Sequence, residues 1–352
     1  MKKVWDKLPK EFFCLAPMSD VTDPAFRRII ALYSKNKTAK KKNNIVFWTE
    51  FVSADGLASP GREVLKNNLI FSQKEKPIIA QLFGANKDKM RRAASYVARL
   101  GFDGIDINMG CPDRSIEKQG AGSALIKDPE NARLLIKAVK DGIKDAKKTN
   151  LSVSVKTRIG YNKNQIEDWI PFLLSCQIDA LIVHARTRKE LSKTPANWDY
   201  IKRVVEIRDE MKVKTKIIGN GDVGSLKEAQ NLIKKTGCDG VMIGRGVFGN
   251  PWFFNISKKK IKLEERLKVL VLHTKLFEKL EGHYKNFAVM KKHYKAYVND
   301  FRGAKELRAK LMETDNAKEV EKIINNFLRI RSFFAQKRVN YLFDLFSIIS
   351  FH

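Results

Sequence analysis

Gln81, Asn108, Cys111, Lys156, His184 and Arg186 are the residues of this chain whose types and placing could do chemistry together. A lysine can pair with a phosphate, form a Schiff base, or stabilise negative charge developing on a ring. A histidine can donate a hydrogen bond or pass a proton. Cys111 lies between Gly110 and Pro112, with Met109 its nearest apolar neighbour, in a loop that runs on through Gly120, Gly122 and Ser123. A free cysteine is usually a small buried hydrophobe. In a loop of this kind a thiol can act as nucleophile or as general acid, and with no His–Cys dyad in view both roles stay open. Cys14, Cys176 and Cys238 read as structural. His273, His283, His293 and His352 make no metal pattern and no CxxC occurs, so no metal is expected.

Two glycine-rich turns, Gly219-Asn220-Gly221-Asp222-Val223-Gly224 and Gly244-Arg245-Gly246-Val247-Phe248-Gly249, both fit GxGxxG. Either alone could pass for a dinucleotide fingerprint. Two on successive strands, late in a strand series, fit a barrel better, because a barrel's phosphate site is commonly built by the loops after its last two strands. Glycines let the backbone approach an anion, helix N-termini offer N–H groups, and Arg245 adds a charged fork.

The elements that must position these residues are eight short apolar runs: Phe12–Ala16, Ile45–Thr49, Ile78–Ala80, Gly104–Ile107, Ser152–Val155, Ala180–Val183, Lys216–Ile218 and Gly240–Ile243. They are followed by Pro17-Met18, Glu50, Gln81, Asn108, Lys156, His184, Asn220 and Gly244-Arg245. Such runs suit strands buried on both faces. Helix-like segments separate them, at Pro24–Leu32, Lys87–Leu100, Pro129–Lys147, Ile166–Ser175, Tyr200–Met211 and Ser225–Thr236. Eight strands alternating with such segments predict a (β/α)8 TIM barrel, whose active site belongs at the C-terminal strand ends.

Beyond Lys258 the pattern is helical only, at Glu264–Leu280, Phe287–Phe301, Lys305–Met312 and Ala317–Phe334. The expected organisation is a catalytic barrel over 1–255, a smaller all-helical domain over 264–338, and an apolar tail over 339–352. Ser34–Asn44 reads as a lysine-rich surface loop.

Lys and Arg number 68 against 39 Asp and Glu, a formal net charge of +29. That excess points to a polyanionic partner or to solvated helix faces. In the helical domain Lys291, Lys292, Arg302, Lys305 and Arg308 are candidates for phosphate contact. The interleaved Tyr294, Tyr297, Val298 and Phe301 read as the buried stripe of a helix. The basic first ten residues have no apolar core behind them, so no signal peptide is expected, and no apolar run is long enough to span a bilayer. Scattered thiols fit a reducing compartment, and the cytoplasm and a monomer are expected.

Taken together, these segments resemble the tRNA-dihydrouridine synthases. The resemblance rests on Leu15-Ala16-Pro17-Met18 with Val21-Thr22-Asp23, on Gln81-Leu82-Phe83-Gly84, and above all on Asp106-Ile107-Asn108-Met109-Gly110-Cys111-Pro112 followed by Gly120-Ala121-Gly122-Ser123-Ala124-Leu125. Val155-Lys156-Thr157-Arg158, His184-Ala185-Arg186-Thr187, Gly219-Asn220-Gly221-Asp222 and Ile243-Gly244-Arg245 extend it, and Gly303-Ala304-Lys305-Glu306-Leu307-Arg308 looks like the family's helical tRNA-binding domain. The resemblance implies an FMN prosthetic group. Ala16, Pro17, Met18, Gln81, Lys156 and His184 would surround its ring and ribityl chain, and Asn220, Gly221, Asp222, Gly244 and Arg245 would hold its phosphate end. It implies reduction of the C5–C6 double bond of uridines in tRNA, with Cys111 protonating C5, Asn108 and Arg186 orienting the uracil, and NADPH as reductant. The competing expectations are an FMN-dependent oxidoreductase for a small dihydropyrimidine or dihydroorotate-like substrate, and a non-catalytic RNA-binding barrel. The basic helical appendage weighs against the first, and Cys111, Lys156 and His184 together weigh against the second.

Overall fold

The computed structural model describes residues 2–34, 44–258 and 260–349, with side chains as far as Phe333. Residues 35–43 of the lysine-rich loop, and the side chains of the apolar tail, therefore lie outside the described residues. The chain forms two compact units, one of Met1–Val247 with Pro251–Ser257, the other of Phe248–Asn250 with Lys258–His352.

The first unit is a closed parallel barrel with the strands in sequence order. They are β1 Phe12–Leu15, β2 Ile45–Ser53, β3 Ile78–Phe83, β4 Gly104–Met109, β5 Ser152–Arg158, β6 Ala180–His184, β7 Lys216–Asn220 and β8 Gly240–Ile243, and β8 pairs back onto β1. Each strand starts where its apolar run starts. Six of them, β2 to β7, run on past the end of the expected run, so that Glu50, Gln81, Asn108, Lys156, His184 and Asn220 stand within the strands rather than after them. The barrel hydrogen-bond ladder continues as long as the neighbouring strand offers partners, and polar side chains do not end it.

Side chains alternate in and out along a strand. The inward positions begin with an apolar layer that includes Phe12, Cys14, Val46, Trp48, Ile79, Ala180, Ile182, Ile218 and Met242. Trp5, from the short helical turn Val4–Lys7, packs on Phe12 and Trp48 with ring centroids 5.8 Å and 6.2 Å away and closes the end where the strands begin. Two residues further along the strands, the same inward periodicity brings up Gln81, Lys156, His184, Asn220 and Gly244. The core of the barrel therefore serves as the floor of a polar site.

Helices Lys87–Arg99, Pro129–Asp145 and Leu226–Thr236 flank the barrel strands and begin at Asn86, Asp128 and Ser225, whose side chains accept the first free N–H groups. The helical unit contains Leu263–Glu281, Ala288–Tyr297, Ala304–Met312 and Ala317–Ile349. Tyr294, Tyr297, Met290, Leu270, Phe277 and Leu311 are fully buried in it. The periodic segment expected to reach Phe301 stops at Tyr297. Asp300 takes a left-handed φ of 57°, and the carbonyls of Val298 and Asn299 go to the guanidinium groups of Arg308 and Arg266 rather than to a further helical turn. No helix among the described residues is long and apolar enough to cross a membrane.

Candidate active site

A cavity of about 490 Å³ opens at the C-terminal ends of the strands. Of the expected site residues it is lined by Ala16, Pro17, Met18, Lys156, His184, Arg186, Asn220, Gly221, Asp222, Gly244 and Arg245. Its size and mixed lining suit a bound small molecule. Gln81, Asn108 and Cys111 are not among its lining residues.

Lys156 is the charge at the cavity's floor. Its ammonium donates to Asn220 Oδ1 at 3.2 Å, while Asn220 Nδ2 donates to the Met242 carbonyl at 2.9 Å and is thereby held facing the lysine. Burial, with the Arg158 charge adding to it, pushes the Lys156 ammonium down to about 8, against the pull of Asp106 and Cys111. Lys156 is thus a cation poised to respond to an anionic group placed beside it.

His184 is held neutral. Burial and then the charges of Lys156, Arg158, Arg186 and Arg245 push its imidazolium form far below the ordinary histidine range. Arg186 Nη1 lies 3.1 Å from His184 Nε2, and a guanidinium can only donate, so Nε2 carries the lone pair and Nδ1 the proton. A histidine in this state suits hydrogen bonding rather than proton transfer near neutral pH. Arg186 itself is buried, with Nε on the Thr194 carbonyl at 2.6 Å and Nη2 on Asp222.

Asp222 joins the two glycine turns. One oxygen takes Arg186 and the Ala196 N–H, the other takes Arg245 at 2.7 Å. Gly221 adopts a φ of 137°, and a Cβ there would stand 2.6 Å from that of Ala196, so both the backbone conformation and the space call for glycine. Arg245 is largely exposed, at 66%.

The Cys111 loop is organised separately. Asn108 Oδ1 accepts the N–H groups of Gly110 and Cys111 at 3.1 and 2.9 Å. Ser123 N–H donates to the Cys111 carbonyl at 2.9 Å, with the Ser123 hydroxyl oxygen at 2.9 Å from the same carbonyl, and Arg158 Nε donates to the Gly110 carbonyl at 2.7 Å. Gly122 has a φ of 61°, and a Cβ on it would meet the Cys111 carbonyl oxygen at 2.7 Å. Downstream, the stretch Arg114–Glu117 forms a helical turn capped by Asp113, and Glu117 receives the Ser123 hydroxyl at 2.8 Å and a two-pronged grip from Arg188. Burial pushes the half-buried Cys111 thiol above its ordinary range, against the pull of Arg158 and Lys156, so at neutral pH it holds its proton.

The sequence therefore pointed to most of the cavity residues and to Cys111 but gave no role to Ser192 and Met242 of the lining, or to Arg158, Ser123, Glu117 or Arg188. Arg158 carries a signal, since it stands two residues after Lys156 on the same face of β5. Glu117 and Arg188 lie 71 residues apart and carry none. In the helical unit Lys292, Arg302 and Lys305 are exposed, while Lys291 reaches Asp315 at 3.4 Å and Arg308 Nη1 is committed to the Val298 carbonyl at 2.7 Å. Among the described residues no cluster could hold a metal ion.

Comparison with known proteins shows the family of the chain. The family model described as dihydrouridine synthase matches residues 14–333. A probable tRNA-dihydrouridine synthase of Staphylococcus aureus is 38% identical over 326 residues, covering 92% of this chain and 95% of that protein. The probable tRNA-dihydrouridine synthase 2 of Bacillus subtilis is 36% identical over 328 residues, covering 92% and 96%. Among solved structures, a 6-hydroxypseudooxynicotine amine oxidase of Pseudomonas geniculata superposes with a TM-score of 0.52 at 13% identity, over 77% of this chain and 53% of that one, a likeness of fold alone. With a family match over most of its length and relatives aligned nearly end to end, the chain belongs to the dihydrouridine synthase family.

Proposed function

We infer that the protein reduces the C5–C6 double bond of uridines in tRNA to dihydrouridine, with FMN as its resident group and Cys111 as the acid. The observation that carries this reading is the pairing of two separately built halves, a cation-floored cavity and a clamped, protonated thiol, in a chain of this family.

The residues present fit a flavin mononucleotide. The glycine turns leave the backbone bare at Gly221 and Gly244, where an added Cβ on Gly244 would face Met18 and Ala16 across the cavity at 3.5 and 3.7 Å. Arg245 offers a guanidinium fork for a phosphate, with Asp222 holding it in place. Lys156 offers a cation to the electron-rich edge of a ring, and Ala16, Pro17 and Met18 give it an apolar wall. Gln81 is fully buried and outside the cavity lining, so its part is to hold Asn108 rather than to touch the ring. The chemistry such a flavin supplies when bound is hydride donation to C6 of the uracil, replenished from NADPH.

The remaining work falls to this chain's own groups. Cys111 gives its proton to C5, and its raised pKa keeps that proton available at neutral pH. Lys156 would set a positive charge beside the ring, against negative charge on it. Arg186 and Asn108 orient the uracil, Arg186 from the cavity side and Asn108 through the loop that it holds. A uridine must leave the RNA stack to reach such a site, at a cost of a few kcal/mol, and contacts to the surrounding phosphates can offset it. Lys292, Arg302 and Lys305, all exposed, and the positive balance of the chain support such contacts, with Lys291 and Arg308 the less available members.

The test is to incubate the purified protein and NADPH with an unmodified tRNA transcript and to weigh the digested nucleosides. A uridine carrying two extra hydrogens is the expected product. Oxidation of NADPH by a small pyrimidine, with the transcript untouched, would instead favour a small-molecule oxidoreductase.

A further inference from the structure

Beneath the Cys111 loop, side chains of β3, β4 and β5 make one continuous hydrogen-bond chain. The Ser154 hydroxyl donates to Asp106 Oδ1 at 2.5 Å, and Gln81 Nε2 donates to Asp106 Oδ2 at 2.6 Å. Asn108 Nδ2 donates to Gln81 Oε1 at 3.1 Å, and Asn108 Oδ1 is left to receive the loop N–H groups of Gly110 and Cys111. Gln81, Asp106 and Ser154 stand opposite one another in the strand register, and all four side chains are buried.

The chain has a direction. A carboxamide offers a donor at one end and an acceptor at the other, whereas an ionised carboxylate accepts at both oxygens. Because Asp106 takes Gln81 by its nitrogen, Gln81 must offer its oxygen to Asn108. Asn108 then meets it with nitrogen and keeps its oxygen for the loop. A donor end turned toward Gly110 and Cys111 would face their N–H groups and release the loop. Asp106 is costly to bury, and burial raises its carboxyl to about 6 even though Ser154, Gln81 and the nearby Lys156 cation favour the ionised form. An apolar residue would fill the same space without that cost, and the apolar layer just below shows that the barrel is built to take one.

We propose that Asp106 is a positioning residue: by fixing the polarity of the Asp106–Gln81–Asn108 chain it holds the Cys111 loop, and with it the acid thiol, in working position. The proposal rests on the reading of Cys111 as the acid, and deepens it by naming what aims that residue.

The test uses the full-length protein and conflicts of polarity. Gln81→Glu sets a second acceptor-only group against Asp106. Combining it with Asp106→Asn lets the new carboxamide donate to position 81 while still accepting from Ser154, so the original direction returns. Backbone hydrogen exchange at Gly110 and Cys111, measured without RNA, should speed up roughly tenfold or more in Gln81→Glu and return to within about threefold of wild type in the double variant. The turnover number on tRNA should fall and recover in parallel, with KM for tRNA unchanged, because the loop and not the RNA grip has moved. Asp106→Leu should loosen the same amides. Equal exchange in Gln81→Glu and the double variant, or wild-type exchange in a folded Asp106→Leu protein, would overturn the proposal. Should the wild type fail to reduce tRNA, the functional reading falls, while the exchange data alone still decide whether Asp106 holds the loop.

Discussion

The two halves of the site are held by different physics. Around Cys111 the backbone polar groups of the loop are met by partners that are buried or nearly so: Asn108 for two N–H groups, Ser123 for the Cys111 carbonyl, Arg158 for the Gly110 carbonyl. Around the Gly221 and Gly244 turns the contacts are ion pairs in reach of solvent, with Asp222 about one-third exposed and Arg245 about two-thirds. Buried hydrogen bonds, the one from the Arg158 guanidinium included, keep their geometry in salt better than exposed pairs, and leaving one unmade is expensive. Exposed ion pairs add little to stability, are screened, and can exchange one partner for another. The comparison teaches that the acid side is organised before any ligand arrives. The side proposed to bind the phosphate keeps Arg186 and Arg245 on the Asp222 carboxylate.

Substitutions can break this contrast in graded ways. The largest effect is expected at Lys156, the cation on the cavity floor. Lys156→Met should lower the rate of uridine reduction by roughly 10²-fold. In the wild type, FMN affinity should weaken as pH rises through about 8, where the ammonium of the ligand-free protein loses its proton, and the methionine variant should show a flat profile when titrated by flavin fluorescence. Gly122→Ala comes next. It forces a left-handed φ on alanine and drives a Cβ into the Cys111 carbonyl, so the denaturation midpoint should report a loss of about 1–3 kcal/mol, with the turnover number falling while FMN stays bound. Arg245→Ala should be the mildest. Its stability should stay within about 0.5 kcal/mol of wild type. Its FMN dissociation constant should rise roughly tenfold at low salt, and by less as salt is added. A large stability loss at Arg245, or a negligible one at Gly122, would erase the contrast.

Much of this architecture is legible in the sequence because it is written in short range. The strand starts follow from apolar runs after polar punctuation, and the helix starts at Asn86, Asp128 and Ser225 follow from capping chemistry. Cys111 between Gly110 and Pro112, and the paired glycine turns, announce themselves by local composition. What depends on register is not legible. Gln81 reads as a cofactor contact, yet both ends of its amide are engaged by Asp106 and Asn108, which only the alignment of β3 on β4 reveals. Asn108 reads as a substrate contact, and its oxygen turns out to clamp the loop. Glu117 with Arg188 joins the loops after β4 and β6, a pairing no local pattern encodes. In the helical unit the apolar periodicity runs through Phe301, but guanidinium groups from Arg266 and Arg308 capture the carbonyls that a continued helix would have needed.

The account turns on the thiol of Cys111. Its most direct test is a single-turnover reaction of unmodified tRNA with pre-reduced protein, wild type against Cys111→Ala. Dihydrouridine should form rapidly in the wild type and roughly 10²–10⁴-fold more slowly in the variant, with FMN content equal in both. Equal rates would take the proton donor away from Cys111 and leave the clamped loop without its assigned purpose.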